Sequence, residues 1–127
     1  MIVKLDTAGE IPLYVQLRNQ IVMGIGRGDL KIGQGLPTVR QMAEDIGVNT
    51  MTVNKSYTIL KNEGYIEIDR RHGAKVSPKV DMTGSFREKA EHELMLLISE
   101  CSLKGFSRED FMKMYNEAFA QLKLSYV

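Results

Sequence analysis

Apolar residues recur at helical spacing in five stretches of this chain and fill two short extended runs. Leu13, Tyr14, Leu17, Ile21 and Ile25 form the first stripe, with Pro12 in the first turn, where its missing N–H does no harm. Gly24, Gly26 and Gly28 weaken the end of that helix, and Gly33, Gly35 and Pro37 mark an irregular connector. Thr38 caps a second helix, with Gln41 three residues on to complete a capping box, and Val39, Met42, Ala43 and Ile46 as its buried face. Gly47 supplies a tight turn. Asn49 caps a third helix over 49–63, whose core face is Val53, Tyr57 and Leu60, and Gly64 takes the left-handed position at its end. The extended runs 65–68 and 74–76 then flank a hairpin tip of Asp69, Arg70, Arg71, His72 and Gly73.

Ser77-Pro78 reads as a boundary between a domain over 1–78 and a helical segment over 79–127. In that segment Ser85 with Glu88 forms a second capping box, and Phe86, Ala90, Leu94, Leu97, Ile98 and Cys101 make the apolar stripe behind it. Gly105 ends the fourth helix. Ser107 with Asp110 begins the fifth, Phe106 is placed to staple against Phe111, and Phe111, Met114, Tyr115, Ala118 and Leu122 are its buried residues. Met95 and Leu96 on one helix, and Met112, Phe119 and Leu124 on the other, add apolar surface outside those stripes. Two helices apolar on more than one side leave too much exposed for a monomer. A two-fold homodimer is therefore expected, built on Phe86, Leu94, Leu97, Ile98, Phe111, Tyr115, Phe119 and Leu122.

Composition narrows the function by exclusion. With 127 residues, 43% of them hydrophobic, one ordinary core is expected. No apolar run reaches the roughly 20 residues of a membrane span, and the N-terminus lacks the shape of a secretory signal. The single cysteine, Cys101, excludes an internal disulfide framework and reads as a small core residue; the protein is expected in the cytoplasm. His72 and His92 lie on different elements, so no metal site and no cofactor are expected. No Ser/His/Asp or Cys/His arrangement and no phosphate loop points to an enzyme. Net charge is only +1, with 10 Lys and Arg against 8 Asp and Glu in residues 1–78 and 7 against 8 in the remainder. Nucleic-acid binding must then rest on local placement of charge.

That placement is present. Helix, short helix, tight turn, helix and hairpin is the layout of a winged helix-turn-helix, giving a mainly α fold with a small β-hairpin followed by the two-helix dimerisation segment. On the third helix Met51, Lys55, Thr58 and Asn62 lie opposite the core face, with Thr50 and Asn54 on the flank. The start of such a helix enters the major groove, where Asn54 can pair with adenine, Lys55 can donate to guanine, and the methyls of Thr50 or Met51 can touch thymine. Met51 can equally cover apolar surface. Thr52 and the free N–H groups of the first turn suit phosphate. Arg70, Arg71 and His72 form a basic wing tip, where Gly73 lets backbone approach the duplex.

Gly28-x-Leu30-x-x-Gly33-x-x-Leu36-Pro37-Thr38-Val39-Arg40-Gln41-Met42-Ala43 resembles the signature of the GntR family, and Gly47-Val48-Asn49, Thr52-Val53 and Tyr57-x-x-Leu60-x-x-Glu63-Gly64-Tyr65-Ile66 continue it in register. The short tail resembles the YtrA-like subfamily, whose C-terminal part is a pair of dimerisation helices. The resemblance implies a DNA-contacting role for Arg40 at the start of the second helix, and the caps Thr38 and Asn49 are candidate DNA contacts beside it. It implies the same for Thr50, Thr52 and Asn54 on the recognition helix, and for His72 and Gly73 at the wing tip. Some relatives carry arginines where this chain has Thr50 and Asn54. The usual Gly-Thr-aromatic-Val wing ending is here Gly73-Ala74-Lys75-Val76. The expected function is a sequence-specific regulator, a repressor, bound as a homodimer to a pseudo-palindromic double-stranded DNA operator through helix 49–63 and wing 65–76. A non-specific architectural DNA binder is the alternative, disfavoured by the near-neutral charge. A small-molecule effector, if there is one, would sit at the dimer interface or between the two parts, since two helices leave little room to enclose a pocket.

Overall fold

The computed structural model describes residues 3–71, 73–78 and 83–123. Its elements are α1 (Leu13–Gly26), α2 (Val39–Ile46), α3 (Thr50–Asn62), β1 (Ile66–Asp69), β2 (Gly73–Val76), α4 (Gly84–Leu103) and α5 (Arg108–Phe119). They form two compact units, Met1–Val80 with Lys123–Val127, and Asp81–Leu122.

The first unit is organised around α3. Val53 and Leu60 are fully buried, and they meet Leu17 and Ile21 of α1, Met42 and Ala43 of α2, and Ile66, Ala74 and Val76 of the hairpin in one apolar cluster. Val39 and Ile46 only border that cluster, so the buried face of α2 is narrower than its spacing suggests. Pro12 stands at the N-cap, one position before the first turn expected for it. Thr38 accepts the Gln41 N–H at 3.1 Å. The Gln41 side chain, however, donates to Asp45 one turn further on, so the expected capping box is only half made. Gly47, at φ +71°, ends α2 in the left-handed conformation that a side chain would strain.

The hairpin strands pair antiparallel with Ile66 opposite Val76 and Asp69 opposite Gly73, one residue later than the run 65–68 suggested. The connector after α1 runs along the outer edge of β2, bridging it at Gly35 and Lys75. Gly33 N–H donates to Val76 O, Val76 N–H to Gln34 O, and Leu36 N–H to Ala74 O, at 2.8–3.0 Å. This covers what would otherwise be an open edge of β2. The N-terminal arm is held by two glutamines of α1. Gln16 bonds both the N–H and the carbonyl of Asp6, and Gln20 does the same for Lys4. Val3 and Leu5 are thereby laid against the core.

The second unit has no buried residue in either helix. Thr83, not Ser85, caps α4: its hydroxyl accepts the Phe86 N–H at 3.1 Å, while Ser85 lies inside the first turn. The chain is still extended at Thr83 and already helical at Gly84, so the cap falls two residues earlier than the Ser85–Glu88 spacing proposed. The Ser107–Asp110 box forms in full, at 3.1 and 3.0 Å. Backbone and side-chain bonds from Ser107 lower the Asp110 pKa. Met114, Tyr115, Ala118 and Leu122 are exposed and Phe111 only half-buried, against the expectation that the last helix buries them. Leu122 lies past the end of α5, and Leu124 falls outside the described residues. Two helices lying side by side cover each other's apolar stripes on one side only, so a stripe is paired but not enclosed. Between them runs an open apolar groove of about 600 Å³, lined by Leu94, Ile98, Cys101, Phe106, Phe111 and Tyr115 among others. Cys101 is half-buried there and not a core residue.

Candidate nucleic-acid interface

The exposed face of α3 is fixed by what its hidden face holds. Ser56 is completely buried, and its hydroxyl donates to the Tyr14 carbonyl at 2.7 Å, tying the first turn of α1 to the middle of α3. Tyr57 donates to the Pro37 carbonyl at 2.8 Å, tying α3 to the connector just ahead of Thr38 and α2. Burial pushes the Tyr57 phenol up to about 12. Sequence reasoning missed Ser56, because a serine interrupts an apolar stripe. Its spacing three after Val53 and four before Leu60 was the available signal. Arg18 completes the frame with a two-point pair to Glu63 at 2.9 and 3.1 Å and lies over the Tyr65 ring. The Glu63 bond raises its pKa further.

Thr50, Met51, Asn54 and Lys55 are exposed on the outer face, with Thr52 half-buried at the edge facing α1. Met51 is 76% exposed, so most of its surface faces solvent and not its own unit. The first-turn amides are less free than the sequence suggested. Asn49 Oδ1 accepts the Met51 N–H at 2.7 Å, and the Asn49 carbonyl accepts those of Thr52 and Val53. A good N-cap removes the donors that a phosphate would otherwise use, leaving Thr50 N–H without a partner among the described residues.

Arg40 is exposed on α2, and Arg70 and Arg71 are exposed at the hairpin tip. Among the described residues no carboxylate pairs with these three, in contrast to Arg18. The tip is shaped by the Arg71 N–H donating to Asp69 Oδ1 at 2.7 Å. Gly73 closes the ladder at φ +70°, a requirement of the turn itself. His72 lies outside the described residues. The departures in the wing have local reasons: Ala74 is buried in the core, and Lys75 faces Glu67 across the hairpin at 3.8 Å.

A buried frame presenting one helix, a short helix packed against it and a basic two-stranded tip define a winged helix-turn-helix DNA-binding protein. Residues 13–76 match the bacterial regulatory proteins of the gntR family, and the chain belongs to that family. It is 31% identical over 110 residues to an HTH-type transcriptional regulator of Mycobacterium tuberculosis, covering 87% of this chain and 88% of that one. It is 29% identical over 123 residues to the HTH-type transcriptional repressor YtrA of Bacillus subtilis, covering 95% of each. The solved structure of YtrA from Sulfolobus acidocaldarius, a GntR-family transcription factor, superposes with a TM-score of 0.67 at 32% identity, over 78% of this chain and 99% of that one. The chain is a DNA-binding transcriptional regulator of the YtrA-like subfamily, and not an enzyme. Among the described residues no helix is long and apolar enough to cross a membrane.

Proposed function

We propose that this protein is a sequence-specific repressor that binds a pseudo-palindromic operator as a two-fold homodimer. Residues 1–78 would read DNA and 79–127 would dimerise. The observation that carries the DNA surface is the contrast among arginines. Arg18 is paired with Glu63, whereas Arg40, Arg70 and Arg71 are exposed and have no carboxylate partner among the described residues. An exposed guanidinium without an acidic partner is suited to two-point contact with a phosphate or a guanine edge. Thr38, Asn49, Thr50, Met51, Thr52, Asn54 and Lys55 supply the helix contacts in this reading, and Arg70, Arg71, His72 and Gly73 the wing.

The dimer rests on the second unit, where Phe86, Leu94, Leu97, Ile98, Tyr115, Phe119 and Leu122 are all exposed and Phe111 is half-covered. A two-fold pairing of these faces would supply the enclosure that α4 and α5 cannot give each other. It would set two recognition helices on half-sites about one helical turn apart. The repressor role follows the name of the Bacillus subtilis relative. A regulator acting on chromosomal DNA would work in the cytoplasm.

Fluorescence anisotropy on a duplex from upstream of the protein's own gene, with excess unrelated DNA and a salt series, tests the reading. Binding that survives competitor, and weakens with salt by a slope of about −0.9 per phosphate contact, is expected. Equal binding to every duplex would instead make it an architectural protein.

A further inference from the structure

The Lys55 ammonium does not point out from the middle of the exposed face. It lies 4.0 Å from the centroid of the Tyr14 ring, on the side of α3 that packs against α1. The buried Ser56 hydroxyl holds the Tyr14 carbonyl, so the residue beside Lys55 in sequence anchors the α1 backbone from which that ring extends. On the helical wheel Thr52 and Ser56 occupy this same flank, whereas Thr50 and Asn54 occupy the opposite one. A cation drawn toward the α1 flank leaves the line along which a recognition helix meets base edges. A helix seated in the major groove has a sugar-phosphate backbone along each flank, so a cation held on a flank is placed for phosphate and not for base edges. Among the described residues Lys55 has no carboxylate partner, and the ring shields only one side of the ammonium, so hydrogen-bond donors remain for an anion.

We propose that Lys55 is a phosphate-binding residue held in place by Tyr14, and not a reader of guanine. Tyr14 is a positioning residue of the interface: its ring restricts a long flexible side chain before DNA arrives, lowering the entropy lost on contact. This assignment replaces the guanine contact expected from sequence. It rests on the DNA-binding reading above.

The test uses the full-length protein on two duplexes of equal length, one from upstream of its own gene and one unrelated, across a salt series. Lys55→Ala is expected to weaken binding to both by the same factor and to lower the salt slope by about 0.9. Loss confined to the upstream duplex, with discrimination relaxed at one base pair, overturns the assignment and makes Lys55 a base reader. Tyr14→Leu is expected to weaken binding about three-fold in the wild-type background and not at all in the Lys55→Ala background. Tyr14→Phe, which keeps the ring, should bind as wild type. Equal effects of Tyr14→Leu in both backgrounds, or loss with Tyr14→Phe, overturn the positioning role. If the wild-type protein binds neither duplex, the DNA-binding reading itself fails, an outcome distinct from both.

Discussion

The two units of this protein use apolar residues in opposite ways. In the first, twelve apolar side chains close into one cluster, and Leu17, Ile21, Val53 and Leu60 are fully buried. In the second, helices of 20 and 12 residues carry apolar side chains at the same helical spacing and bury none of them. Spacing marks a face that wants cover; it does not say who provides it. In the first unit the covering layers are α1, α2 and the hairpin, and the polar edge they leave over is free to meet DNA. In the second no further layer is present among the described residues, and the open groove between α4 and α5 belongs to the face proposed above to meet a second copy.

The largest test of this contrast is a pair of truncations. Leu60→Ala empties a fully buried site and should destabilise the protein by about 3 kcal/mol in thermal or denaturant unfolding. Leu97→Ala, at a site 46% exposed, should leave the diluted protein's stability within about 0.5 kcal/mol. Combined with Leu94→Ala, it should shift the sedimentation profile from dimer toward monomer. Equal destabilisation by Leu60→Ala and Leu97→Ala would break the comparison, since α4 would then have a core of its own.

Next in size is the pair Arg40 and Arg18. Arg40→Ala should reduce affinity for the upstream duplex about tenfold with an unchanged melting temperature, the loss of one charge-assisted contact. Arg18→Ala should do the reverse, lowering stability by removing the Glu63 pair and the Tyr65 stacking while leaving the salt dependence of binding unaltered. Tyr57 gives a smaller, pH-resolved effect. Its folded pKa of about 12 lies above the ordinary 10.0, so the neutral phenol's contribution is complete below pH 10 and is lost as pH rises toward 12. Denaturant melts across that window should show wild type losing stability relative to Tyr57→Phe. At neutral pH the variant should be weaker by about 1 kcal/mol through loss of the Pro37 bond. Smallest is Ser107→Ala, which should fray only the start of α5, seen as faster amide exchange there. Asp110 should lose its stabilising role as pH falls through its lowered pKa.

By itself the sequence determined the order of elements, the caps at Thr38, Asn49 and Ser107, the turn at Gly47 and the family signature. These depend on residues close along the chain, where spacing and local hydrogen bonding decide the outcome. Contacts between distant segments were decided only by the tertiary structure. Ser56 reaches Tyr14 forty-two residues away, Arg18 finds Glu63 at a separation of forty-five, and the connector at 33–36 pairs along the outer edge of β2. Thr83 takes the cap that the Ser85–Glu88 spacing assigns to Ser85, because the chain's entry into α4, not the motif, sets where the helix starts. Lys55 shows the same limit most clearly. Its position on the helical wheel is written in the sequence, but the direction of its charge is set by a ring on another helix.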